Sequence, residues 1–97
     1  MRLARIDNLR MVDRNKAGGQ GVFEIDGQIS HAELFFYLQG NQCLSIRLGR
    51  HDKNVNTAQL EKYIEEKRSD IRRIITPQVE RIREEARLKY ITQVEMD

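Results

Sequence analysis

The stretch "VFEIDGQISHAELFFYL", residues 22–38, constrains the fold more than any other part of the chain. Asp26-Gly27 has the chemistry of a two-residue hairpin turn, whose second position needs φ > 0, and the residues around it alternate at period two. With Asp26-Gly27 at the tip, Ile25 faces Gln28, Phe23 faces Ser30 and Val22 faces His31. That register puts Phe23 and Ile25 on one face with Ala32, Leu34, Phe36 and Leu38. A one-residue slip would turn the whole apolar set outward, so the agreement between turn and pattern specifies a hairpin.

A second hairpin is expected in "YLQGNQCLSIRLG", where Leu44, Ile46 and Leu48 alternate with Cys43, Ser45 and Arg47. Keeping Leu44, Ile46 and Leu48 on the face of Leu34, Phe36 and Leu38 requires an odd loop. A three-residue loop, Gln39-Gly40-Asn41, satisfies this. A two-residue Gly40-Asn41 turn would oppose Leu38 to Cys43 and turn the second strand's apolar set into water. The three-residue loop sets Glu33 opposite Arg47, Phe35 opposite Ser45 and Tyr37 opposite Cys43. The N-terminal segment, residues 2–14, reads as a short amphipathic turn or, from the alternation of Leu9 and Met11, as a first strand antiparallel to the Phe23 strand, the reading favoured here. "NKAGGQG", residues 15–21, reads as a mobile loop.

The chain changes character near residue 55. Residues 1–55 hold all six glycines, eight Lys/Arg and six Asp/Glu, whereas residues 56–97 hold nine charges of each sign and the single proline. The second half reads as helix. Asn56 serves as N-cap with Gln59 three positions on. Leu60, Tyr63, Ile64, Ile71, Ile74 and Ile75 then fall close to one stripe. Thr76-Pro77 interrupts it, because proline inside a helix costs about 3 kcal/mol but suits a first turn. Two helices, about 57–75 and 77–91, or one sharply kinked helix, are expected. Val79, Ile82, Ala86 and Tyr90 form a second stripe, and residues 92–97 a frayed tail.

The fold class that follows is α+β in a single small domain, residues 1–97. An antiparallel meander of three to four strands (1–55) is covered on its apolar face by a C-terminal helix, and a second, charged helix follows (56–91). The core is drawn from Phe23, Leu34, Phe36, Leu44, Ile46, Leu60, Ile64 and Ile71. A chain of 97 residues leaves roughly a third or more of its unfolded surface exposed even when folded. One cysteine, Cys43, excludes an internal disulfide and a paired-thiol metal site. No run approaches the roughly 18 apolar residues of a membrane span, and the N-terminus lacks an apolar signal region, so the cytoplasm is the expected compartment.

Chemistry is sparse. On the outward face, together with Val22, Glu24 and Ile29, the pattern gathers His31, Glu33 and Arg47 near Cys43, residue types suited to proton transfer or anion binding. Residues two apart on a strand lie roughly 6.5–7 Å apart at Cα, however, beyond a dependable acid–base hydrogen bond, and a solvated ion pair is the better reading. His51 and Asp52 could orient one another, or join His31 and Glu33 around a metal. No ligand spacing supports that, and no metal or cofactor is expected. "AGGQG" lacks the Lys-Ser/Thr of a phosphate loop and precedes a strand, so it is no phosphate cradle. What the pattern leaves unexplained is Phe35 and Tyr37, aromatic on the side that should be wet.

Function is therefore expected to be that of a small non-enzymatic binding or regulatory protein acting through protein contacts. Its size suits an accessory protein of the phage or mobile-element type, though no residue marks that origin. The interaction residues would be Phe35, Tyr37 and His31 on the sheet and Ile82 and Tyr90 on the second helix. The alternative is a nucleic-acid-binding regulator using Arg72, Arg73, Arg83 and Arg87, although Glu and Asp at helical contact spacing neutralise that half. The second helix has more apolar surface than a monomer explains, and a symmetric homodimer would bury it. Sedimentation at high micromolar concentration checks that expectation: a dimer agrees with it and a monomer counts against it.

Overall fold

A computed structural model describes the backbone of residues 1–96 and the side chains of residues 1–89. Four strands, β1 (Arg2–Asp13), β2 (Lys16–Ile25), β3 (Gln28–Gln39) and β4 (Gln42–His51), form one antiparallel sheet in the order β1-β2-β3-β4. Two helices follow, α1 (Thr57–Glu66) and α2 (Arg68–Met96). The architecture is α+β, a β-meander followed by helices packed on one side.

The first hairpin forms in the expected register, with Ile25 opposite Gln28, Phe23 opposite Ser30 and Val22 opposite His31. Asp26 (φ 49°) and Gly27 (φ 78°) both adopt positive φ, as a type I′ turn demands. The second hairpin differs from expectation. Its loop is the two-residue Gly40-Asn41, with Gln39 opposite Gln42 and Leu38 opposite Cys43. A bulge then inserts one residue, Leu44, so that Tyr37 faces Ser45, Phe36 faces Ile46 and Leu34 faces Leu48. The bulge restores the apolar register that the short turn breaks. In consequence Cys43 is buried in the core, Leu44 is 48% exposed, and Arg47 faces Phe35 instead of Glu33.

The expected loop at residues 15–21 is instead the first part of β2. Its glycines persist in a strand because their neighbours need the space. A Cβ on Gly19 would stand 2.8 Å from Ile6 Cγ2, and one on Gly21 would stand 2.8 Å from Phe23 Cε2. Tertiary packing here overrides the low strand propensity of glycine. Strand β1 pairs along β2 with three register shifts, one of them passing Asn8, which takes φ 55°.

The core lies between one sheet face and the helices: Leu3, Ile6, Phe23, Leu34, Phe36 and Cys43 meet Leu60, Ile64, Ile71, Ile75 and Val79. Asn56 caps α1, its Oδ1 accepting from Ala58 N at 2.7 Å. Tyr63 packs edge-on against Phe23 at 5.7 Å and its hydroxyl accepts the Leu3 amide at 2.9 Å, tying α1 to β1. The helices part at Lys67 (φ −105°, ψ 16°), not at Pro77. Ile71, Ile75 and Val79 are spaced four apart directly across Pro77 and all are buried, so helix α2 stays in one piece despite the lost hydrogen bond. Thr76 Oγ1 donates to Arg72 O at 2.7 Å beside the gap. Ile74, assigned to the stripe by sequence, is 42% exposed. Helix α2 has 29 residues, about 43 Å of length, and beyond Ile82 its residues Glu84–Lys89 are exposed. Its backbone stays helical to Met96, through the segment expected to fray.

Two substitutions test this packing by urea denaturation. Gly21→Ala should destabilise by about 1–3 kcal/mol through overpacking of Phe23 and Leu34. Tyr63→Phe should cost about 1 kcal/mol by leaving the part-buried Leu3 amide unbonded.

Candidate functional site: the open face of the sheet

Both helices lie on one face of the sheet, and among the described residues the opposite face has no helix over it. Strand pairing arranges that open face in rows. Arg10, Gly18, Phe35 and Arg47 are successive cross-strand partners in one row, and Asp13, Lys16, Tyr37 and Ser45 in the next. The aromatic pair of the wet side thus sits mid-sheet with cations on the flanking strands.

Phe35 is half-buried because glycines flank it on both sides. The position of a Cβ on Gly18 lies 3.3 Å from Phe35 Cε1, and that on Gly49 lies 2.9 Å from Phe35 Cε2. The ring rests in the gaps left by two missing side chains, an aromatic covering glycine backbone. Lys16 closes the arrangement, its Nζ 4.5 Å from the Phe35 ring centre and 5.3 Å from that of Tyr37. Such cation–π contacts at exposed sites are worth about 0.5–1 kcal/mol. Tyr37 is the freer ring, 39% exposed.

Charge on this face is mixed, and part of it is unpaired: Asp13 and Glu33 form no ion pair among the described residues. Arg2 pairs with Glu24 at 2.6 Å and Arg5 with Asp7 at 3.1 Å. Among the described residues Arg10, Lys16, Arg47 and Arg50 form no ion pair. Because residues 56–97 are neutral, the net charge of +2 resides in residues 1–55.

Beside the aromatic rows lies a polar concavity of about 420 Å³, lined among others by Arg10, Gln20, His31, Glu33, Arg50 and Asp52. Here Arg50 joins His31 and Glu33, the place that sequence pattern assigned to Arg47. His31 pairs with Asp52: its amide donates to Asp52 Oδ2 at 2.8 Å, its Nδ1 lies 3.4 Å from the same oxygen, and Asp52 N donates to His31 O at 2.9 Å. The His31 amide, with the ring's smaller contribution, holds the Asp52 carboxyl below the ordinary aspartate range. His51 does not orient Asp52 through its carboxylate. Its Nε2 lies 2.7 Å from Thr57 Oγ1 and its Nδ1 2.9 Å from the Asp52 carbonyl. No group of three or more His, Cys, Asp or Glu with metal-ligand proximity occurs among the described residues.

The remaining sequence-assigned residues lie elsewhere. Arg72 donates to Leu44 O at 2.8 Å, capping the β4 bulge, and Arg83 donates to Arg14 O at 2.9 Å in the β1–β2 turn. Arg87 pairs with Glu84 at 2.8 Å, while Arg73 is exposed. Ile82 is half-buried on α2, on the side of the molecule away from Phe35, Tyr37 and His31. The side chain of Tyr90 falls outside the described residues. Cys43, placed outward by the three-residue loop, is instead a buried thiol whose pKa burial raises against the opposing pull of Arg72. Val22, also assigned to the wet face, is only 1% exposed between its strand partners Arg5 and His31.

Sequence reasoning missed Lys16, Gly18, Gly49, Arg10 and Arg50. A signal for two of them was present: the Asp26-Gly27 register, carried on without a slip, pairs Gly18 with Phe35 and Lys16 with Tyr37. No helix among the described residues is long and apolar enough to cross a membrane. Comparison of the chain with protein-family models, curated proteins and solved structures gives no match.

The Asp52 carboxyl is more acidic folded than unfolded, so its contribution to stability is complete above the ordinary aspartate value of about 3.9. That contribution is lost as pH falls through the lowered folded value. Asp52→Ala should therefore lower the melting temperature at neutral pH and flatten its decline at acid pH, as thermal melts across pH will show. The Cys43 thiol should resist a thiol-specific reagent in the native protein and react once denaturant is added.

Proposed function

We propose that this chain is a small non-enzymatic binding protein and that its working surface is the open face of the sheet. The observation that carries the reading is the placing of Phe35 beside Arg47 and Tyr37 beside Lys16, with Arg10 in the Phe35 row and Arg50 in the adjoining concavity, cations without ion-pair partners among the described residues, on a face that the helices leave uncovered. Phe35 has a structural task over the glycines, but a face built only for solvent has no need of an exposed Tyr37 beside unpaired cations. The polar concavity next to them adds amide, imidazole and carboxylate groups that can fix a ligand's orientation. The same groups do not assemble a nucleophile, base and oxyanion site, which favours binding over catalysis. A cytoplasmic, accessory or regulatory role fits this reading, the lone buried thiol suiting a reducing compartment.

The helix arginines support the reading by their engagement elsewhere: Arg72 and Arg83 hold turns and bulges of the sheet in place. Immobilised full-length protein, incubated with host extract and assayed for bound protein and nucleic acid, tests the assignment. Wild type should retain a ligand that a Tyr37→Asp/Arg47→Glu double variant loses while melting as wild type does, and Arg81→Glu on α2 should retain it. Equal retention by the double variant overturns the assignment.

A further inference from the structure

We infer that the ligand of the open face is a single-stranded nucleic acid, its bases stacking on Tyr37 and Phe35 and its phosphates meeting Arg10, Lys16, Arg47 and Arg50. This rests on the binding-surface reading above and names the ligand class. The chemistry of the face selects it. Single strands are held by aromatic platforms combined with a cationic surface, and stacking is sequence-tolerant because every base has a π-face. Tyr37 and Phe35 lie two apart on β3, about 6.6–6.8 Å along the strand, with Arg47 on the next strand and Lys16 and Arg10 on the strands beyond Phe35's other side. Lys16 now sits over both rings. An arriving base takes the ring faces that Lys16 covers and frees its ammonium for a phosphate.

Two other polymers fit less well. An extended acidic peptide binds sheets most readily by adding as a strand at an edge. Both edges here are broken: β1 carries three register shifts, β4 is bulged at Leu44, and the Leu44 carbonyl is already taken by Arg72. Duplex DNA is read by an element that enters a groove. On α2, the cations Arg72, Arg83 and Arg87 are bonded within the protein and lie away from the open face. Asn8 and Gln20, in the wall of the adjacent concavity, supply amides for the Watson–Crick edge of an unstacked base.

Fluorescence anisotropy with labelled 20-nucleotide oligothymidine and oligouridine, the corresponding duplex and a polyglutamate peptide tests the inference on the full chain. Four phosphate contacts at about 0.7 each give a log–log salt slope of about −2.8, or about fiftyfold weaker binding at 200 mM than at 50 mM salt. Tyr37→Ala should weaken binding about tenfold or more with the slope unchanged. Arg47→Gln should reduce the slope by about 0.7. Tighter oligothymidine or tighter oligouridine binding supports the inference in either case and identifies which polymer is preferred. Duplex bound as tightly as single strand, polyglutamate bound more tightly, or single-strand binding indifferent to both variants overturns it. Where oligonucleotides fail but the extract assay above still shows a ligand lost on Tyr37→Asp/Arg47→Glu, the ligand class falls and the binding surface stands. Loss of neither means that both fall.

Discussion

The burial of Ile71, Ile75 and Val79 against one face of the sheet is the contact on which the rest of the molecule depends. Spaced four residues apart, they lie on one stripe of α2 and hold the helix continuous across Pro77. Each side chain buried this way contributes roughly 1.5–3 kcal/mol, together enough to offset the approximately 3 kcal/mol that an interior proline costs. With the stripe seated, Arg72 reaches the Leu44 carbonyl and Arg83 reaches the β1–β2 turn, so the helix clamps both ends of its path over the sheet. It also commits every apolar helix residue of the core to one side. The other side of the sheet is left to side chains alone.

Strand β2 shows how those side chains manage on both faces. Gly19 and Gly21 yield space on the covered face to Ile6, Phe23 and Leu34, and Gly18 yields it on the open face to Phe35. A strand so poor in side chains would be weak at an edge. Here it lies second in the sheet, hydrogen-bonded on both sides and overlaid by its neighbours' side chains. Phe35 thereby has a structural task on the open face: its ring shields glycine backbone, and Lys16 lies over it. Lys16 lies over both rings of the wet side, 4.5 Å from that of Phe35 and 5.3 Å from that of Tyr37.

Much of the fold was legible in the chain, and the failures have definite physical causes. The Asp26-Gly27 hairpin and the Asn56 cap could be read because turn or cap chemistry agrees there with apolar periodicity. The Gly40-Asn41 turn was misread because a period-two argument assumes an unbroken ladder, and one bulged residue, Leu44, reverses its conclusion. Residues 15–21 looked like a loop because glycine propensity is local, while the need of Ile6, Phe23 and Leu34 for space is not. Pro77 looked like a boundary because its local cost is visible in sequence and the tertiary stripe that offsets it is not. Of the open face, Phe35, Tyr37 and His31 were placed on the correct side by the period-two pattern. Arg47 was found with the wrong partner, and Lys16 and Arg50 were hidden behind the misread strand and bulges.

The proposed ligand contact on the face opposite the helices leaves a distinct mark on the backbone amides. Titration of ¹⁵N-labelled protein with oligothymidine, followed through the backbone amide spectrum, tests it most directly. For a ligand on this face the shifting amides cluster at Lys16, Gly18, Phe35, Tyr37 and Arg47, while those of Arg73, Arg81 and Arg87 stay in place. Shifts confined to α2, with the β2–β4 rows unmoved, would contradict it.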